Sequence, residues 1–301
     1  MFKKILVPLD GSELAEAALP AAVYLAGTLG AKVTFVHVVE EDAPLTIHGD
    51  RHLRTPEEAD AYLDGIRGRA GLPAAQVDCH VHASTTADVA GGIVQHEEEL
   101  SPDLIIMCTH GGGGLKRMFL GSIAQQIVAA GDRPVLLIRP GEGGKPRPFA
   151  LTVLLAPLDG KSSHGQGLDI ALGLARVTGA RLRLLSVVPT MGTLAGQDAT
   201  TGKFMPGTTR ALLALAEDDL KSYLAQQVAR IRAAGVEAYA ELGRGDPAPM
   251  IAETAEALHA SLIVLATHGK AGNEAFWTNS VAAKVQSQSS RPLLLVPIKA
   301  G

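Results

Sequence analysis

Two stretches of this chain carry one pattern in one order, and that repetition constrains the fold more than any local propensity. KKILVPLDGS from Lys3 matches LTVLLAPLDGKSS from Leu151, aligning Pro8, Leu9, Asp10 and Gly11 with Pro157, Leu158, Asp159 and Gly160. DLIIMCTHGGGG from Asp103 matches SLIVLATHGKAG from Ser261, and DRPVLLIRP from Asp132 matches SRPLLLVPI from Ser290. The copies meet at RPGEGGKPRP, residues 139–148, a Gly, Pro and charge-rich segment of the kind that joins domains. The chain of 301 residues therefore divides into two domains, 1–141 and 149–301.

Within each copy, short apolar and β-branched runs alternate with helical periodicity. The first copy predicts a strand over 5–9, a helix over 12–29 and a strand over 33–39. A helix over 56–70, a strand over 77–81, a helix over 87–100 and a strand over 104–108 follow, then a helix over 122–130 and a last strand over 135–138. Runs apolar on both faces imply a parallel sheet covered by helices on each side. The expectation is two doubly wound α/β domains in tandem, Rossmann-like, with five strands each. Ser12 is placed to cap the first helix and Gly30 to end it, as Gly179 ends its counterpart. Residues 189–209, rich in Gly and Thr, are longer than an ordinary connection and read as a mobile surface loop or a lid.

Composition narrows the function. Apolar residues at 47% and charged residues at 19% suffice for a buried core and exclude a disordered chain. A net charge of −4 supplies no basic stripe for a nucleic-acid partner. Asp10 interrupts the first apolar run before it reaches signal-peptide length, and no uncharged run suits a membrane span, so a cytoplasmic protein is expected. The two cysteines, Cys79 and Cys108, form no CxxC pair and fit a reducing compartment.

In an open parallel sheet a ligand binds beyond the carboxyl ends of the strands, where strand order reverses. That rule selects Asp10, past the first strand, and the loop 109–121, past the fourth. A carboxylate accepts from ribose hydroxyls, and a glycine-rich loop offers backbone N–H groups to an anion. Gly121 and Ser122 then open a helix whose unpaired N–H groups favour phosphate. Neither GxxxxGK[ST] nor a strand followed by GxGxxG occurs, which argues against a P-loop NTPase and a dinucleotide enzyme. His80 and His82 share one strand face beside Cys79, but no third ligand is near in sequence, and no metal site is expected. Cys108 and His110 lack an orienting acid and suggest no catalysis. The RGD at Arg244–Asp246 more naturally begins a helix, with Asp246 as cap and Pro247 in its first turn.

These residues resemble a tandem universal stress protein over nearly the whole chain. ATP-binding members carry a glycine motif whose four positions fall on Cys108, Gly111, Gly121 and Ser122 in the first copy. The first glycine is thus a cysteine, at a strand end where the side chain is expected to point away. The resemblance implies a nucleotide lined by Pro8, its ribose on Asp10, its adenine edge on the backbone of Val38 and its phosphates on Gly111, Gly121 and Ser122. In the second copy Ala266, Gly269, Asn279 and Ser280 hold the motif positions, although Asp159 and Val187 are kept. Lys116 and Arg117 beside the first loop correspond to Glu274 and Ala275, and a carboxylate near a triphosphate repels it. The first site is expected to bind better, and the second to be weak or empty.

The resemblance further implies an intramolecular pseudo-dimer joined through the last strands, 135–138 and 293–296, and leaves a homodimer open. Function is expected to be that of an ATP-binding regulator in stress response or signalling, with no catalytic residues; magnesium would arrive only with the nucleotide. Hydrolysis should be slow, for no general base, metal carboxylate cluster or arginine finger is identifiable. The alternatives are a nucleotide-independent interaction module and an adenylyl-transferring enzyme on the same scaffold.

Overall fold

The computed structural model describes residues 1–41, 44–86, 89–109, 122–130, 132–161, 165–194, 196–267 and 280–298. Two compact units result. The first gathers Met1–Ala150 and the chain's last strand; the second gathers Leu151–Thr267 and the helix preceding that strand.

The first unit is built on β1 (Lys4–Pro8), β2 (Lys32–Glu40), β5 (Val77–Thr86), β6 (Leu104–Cys108) and β7 (Val135–Ile138). They lie in the order β5-β2-β1-β6-β7, all parallel. Strand order therefore reverses between β1 and β6, where the crossover to one side gives way to the crossover to the other. Leu6, Phe35, Ile105 and Ile106 are fully buried, as a sheet covered on both faces requires. Burying such a side chain contributes about 1.5–3 kcal/mol.

One helix expected over 12–29 is two, α1 (Glu13–Glu16) and α2 (Leu19–Leu29). Pro20 explains the break: it lies in the first turn of α2, where its missing N–H leaves no bond unmade, whereas inside one continuous helix it would remove a bond and clash with the preceding turn. Ser12 caps α1 through Oγ, which accepts from Ala15 N, and Gly30 ends α2 in the left-handed region. The strand expected over 77–81 runs on to Thr86. Helices α3 (Pro56–Arg69), α4 (Val89–Leu100) and α5 (Ser122–Ala130) complete the unit. The joining segment is held down at its end, where Phe149 meets Tyr24 edge-on at 5.6 Å.

The second unit repeats the order with β8 (Val153–Pro157), β9 (Arg181–Val188), β10 (Ala238–Arg244) and β11 (Leu262–Thr267), arranged β10-β9-β8-β11. Among the described residues these four strands run parallel. The fifth, β12 (Leu293–Pro297), pairs antiparallel with β7, Leu293 opposite Leu137 and Leu295 opposite Val135, and belongs to the first unit. An apolar edge on β7 is thereby paired.

Residues 189–209 correct the loop expected there. They hold α7 (Gly196–Phe204) and the start of α8 (Pro206–Ala233), a helix that covers β9 and β10. Pro206 in the first turn of α8 marks its start. Asp246 caps α9 (Pro247–Ala257), accepting from Ala248 N, as its place before Pro247 suggested. Helices α6 (Gly165–Thr178) and α10 (Val281–Gln288) complete this unit. No helix among the described residues is long and apolar enough to cross a membrane.

Candidate functional site

Asp10 leaves the end of β1 in a tight turn. Its Oδ1 accepts from Ser12 N at 2.9 Å and from Ser12 Oγ at 2.6 Å, so one carboxylate oxygen is committed to the turn. Gly11 sits between them at φ +90°, and a Cβ there would lie 2.8 Å from Leu53 Cγ. Only glycine meets both demands. The other oxygen, Oδ2, faces His48 Nε2 at 3.8 Å.

Beside β1, the ladder of β2 with β5 shifts register between Val38 and Glu40. Such a bulge re-aims the backbone and is frequent beside binding sites. One residue before it, His37 passes under the site with Nδ1 2.8 Å from the Leu9 carbonyl, while its Nε2 is buried without a partner. Burial pushes the His37 imidazole below its ordinary 6.5, partly opposed by the Leu9 carbonyl, so the ring is neutral at neutral pH.

These strand ends open onto a cleft of about 840 Å³, mouth included. Pro8 at the end of β1 and Asp10 just past it, Val36 and Val38 from β2, and Met107 and Cys108 from β6 line it. Ile123 and Ala124 bring the first turn of α5 to its edge, so Ser122 begins a helix beside the cleft. The cleft thus stands at the β1/β6 reversal and brings Pro8, Asp10 and Val38 together. Gly111 and Gly121 lie outside the described residues, as do Lys116 and Arg117.

Cys108 does not point away as expected; it lines the cleft. Burial and the Asp10 carboxylate push its thiol up to about 12, so it stays protonated and unreactive. Cys79 lies elsewhere, its Sγ 3.4 Å from the Leu63 carbonyl. Among the described residues no three His, Cys, Asp or Glu side chains assemble into a metal site.

One wall was not foreseen. Between β2 and α3 the chain folds a two-residue hairpin, β3 (Thr46–Ile47) and β4 (Asp50–Arg51), joined by His48 and Gly49 at φ 53° and 95°. Two positive φ values are what a type I′ turn requires. The hairpin is fastened at its base: Glu13 N donates to Asp50 Oδ2 at 2.9 Å, and His52 N donates to the Leu45 carbonyl at 3.1 Å. Ile47, His48 and His52 face the cleft, with His52 Nε2 3.8 Å from Glu40 Oε2. The signal was HG between Ile47 and Asp50, a turn dipeptide without the long alternating strands that would have announced it.

The second unit copies the frame with different chemistry. Lys161 N donates to Asp159 Oδ1 at 3.0 Å, the same turn, but Lys161 Nζ stands 3.7 Å from Oδ2. Ser186 takes the place of His37 and donates to the Leu158 carbonyl at 2.7 Å. Val187 lies in β9 beside it. Leu220 of α8 reaches within 2.9 Å of a Cβ built at Gly160, so the helix covers this turn. Ser280 caps α10 through Oγ, which accepts from Ala283 N at 3.1 Å. Gly269 and Asn279 lie outside the described residues.

The profile described as the Universal stress protein family matches residues 1–139 and again 152–297. The chain belongs to the universal stress protein family. It holds two of the family's domains in tandem. Single-domain relatives align to about half of it. Universal stress protein YxiE of Bacillus subtilis is 32% identical over 151 residues, covering 46% of this chain and 100% of that protein. Universal stress protein MJ0531 of Methanocaldococcus jannaschii is 30% identical over 145 residues, covering 46% of this chain and 83% of its own. Among solved structures, a universal stress protein from Archaeoglobus fulgidus covers 98% of this chain and 96% of itself, with a TM-score of 0.63 at 18% identity. A functionally unknown protein from Pseudomonas aeruginosa PAO1 covers 99% and 93%, with a TM-score of 0.69 at 16% identity. At such identities the likeness speaks to the fold.

Proposed function

We propose that the first unit binds an adenine nucleotide of the ATP class in the β1/β6 cleft, and that occupancy regulates a stress or signalling response. The observation that carries this is the meeting of Pro8, Asp10 and Val38 with the first turn of α5 around one cleft. The residues fit the group. Asp10 Oδ2 is the carboxylate oxygen left over from the turn and accepts from ribose. The bulge beside Val38 presents irregular backbone to an adenine edge, and the α5 N-terminus with Ser122 favours phosphate. Gly111 and Gly121 would wrap the phosphates, and magnesium would enter with the nucleotide.

Regulation rather than catalysis is the reading we favour, because the sequence offers no identifiable general base, metal carboxylate cluster or arginine finger for phosphoryl transfer. The second unit binds more weakly or not at all. Lys161 Nζ stands 3.7 Å from Asp159 Oδ2, and Leu220 crowds the turn. A nucleotide-independent interaction module is the second reading, favoured by the Cys108 side chain, which occupies cleft space where the family's motif has glycine.

The test is calorimetric titration with ATP, together with mass spectrometry of any nucleotide released on denaturing the purified protein. Micromolar affinity, about −8 kcal/mol, supports the proposal. Ser122→Ala and Gly121→Val should weaken it at least several-fold more than Ser280→Ala does. Equal effects of all three would refute the ranking of the sites, and no binding would leave the interaction module.

A further inference from the structure

We infer that the β3–β4 hairpin is a wall of the ligand site and that His48 is a specificity-determining residue, which together with Asp10 reads the vicinal diol of a ribose. The inference rests on the nucleotide reading of the cleft and assigns a residue that the glycine motif does not contain.

Asp10 has one oxygen tied to Ser12, and the other lies 3.8 Å from His48 Nε2, both residues lining the cleft. A diol whose oxygens each reach about 2.8 Å to a partner spans two polar atoms at that separation. A ribose can therefore give one hydroxyl to the carboxylate and exchange a hydrogen bond with the imidazole through the other. The Asp10 carboxylate would repel a phosphate placed at this spot, so the chemistry selects the neutral sugar edge.

The imidazole is held there by construction. His48 occupies the first left-handed position of the turn, a conformation histidine enters more readily than most residues. Asp50, two residues on, ties the hairpin to the first N–H of α1, the helix that follows the Asp10 turn. Leu53 closes over Gly11 from the same segment. Carboxylate and imidazole thus come from two segments fastened to each other before ligand arrives. Among the described residues of the second unit Lys161 stands beside Asp159 Oδ2 instead, and an ammonium can only donate.

The experiment is calorimetry of the full chain with ATP, 2′-deoxyATP and 3′-deoxyATP, on the wild type and His48→Gly. Glycine accepts the turn's positive φ, and thermal melting verifies that the variant is folded. We expect the wild type to bind ATP more tightly than either analogue. His48→Gly should lose about three- to tenfold on ATP, the worth of one hydrogen bond. It should bind the analogue lacking the hydroxyl that His48 holds as the wild type does, so that this discrimination disappears. Equal losses on all three ligands, unchanged binding of all three, or a wild type indifferent to the diol would each overturn the assignment of His48. A wild type that binds no adenine nucleotide overturns the nucleotide reading itself.

Discussion

His37 and Ser186 occupy the same place in the two repeats and hold the same carbonyl, that of Leu9 or of Leu158. Serine does so with one small hydroxyl; histidine brings a second nitrogen into a buried space and leaves it unpartnered. Because burial lowers the folded-state value of His37 below 6.5, the unfolded chain takes up its proton first as pH falls. The stabilisation is therefore complete above about pH 6.5 and is lost as pH drops through the lower folded-state value. Denaturant midpoints measured from about pH 7 down to pH 5 should fall less steeply for His37→Ser than for the wild type. Parallel slopes would contradict a neutral, buried His37. The family resemblance pointed to Val38 and not to its neighbour His37, since burial of a lone polar residue in a strand carries no pattern.

Elements whose start is chemically marked were the legible ones. Ser12, Asp246 and Pro20 each act at a helix start, although Pro20 split in two a helix that periodicity alone had run together. The hairpin was illegible because its strands have two residues each, too few for alternation to show. The helix α7 hid behind glycine and threonine, poor helix formers that are nevertheless helical here. Ser280 shows how one motif position serves different ends. Its hydroxyl caps α10, so Ser280→Ala should cost about 1 kcal/mol of stability in urea denaturation while ATP binding stays unchanged. A loss of ATP affinity without loss of stability would mean that the second unit holds nucleotide after all.

At the scale of the molecule the repeat fixed the fold twice over, yet it could not say where the last strand goes. Strand β12 completes the second pattern in sequence and the first unit in space, because pairing depends on which edge is available. Duplication also left the two units unequal. One turn aspartate lies beside an imidazole on the cleft lining, and the other beside its own lysine at a turn that a helix covers. The central claim is that nucleotide is held in the first unit, with its adenine against β2. Photolabelling with 8-azidoATP, followed by peptide mapping, tests it most directly. The account predicts label on peptides of the first unit that contain Val38 or the hairpin, competed away by ATP and not by inorganic phosphate. Label confined to residues beyond Leu151, or no label that ATP can displace, would contradict it.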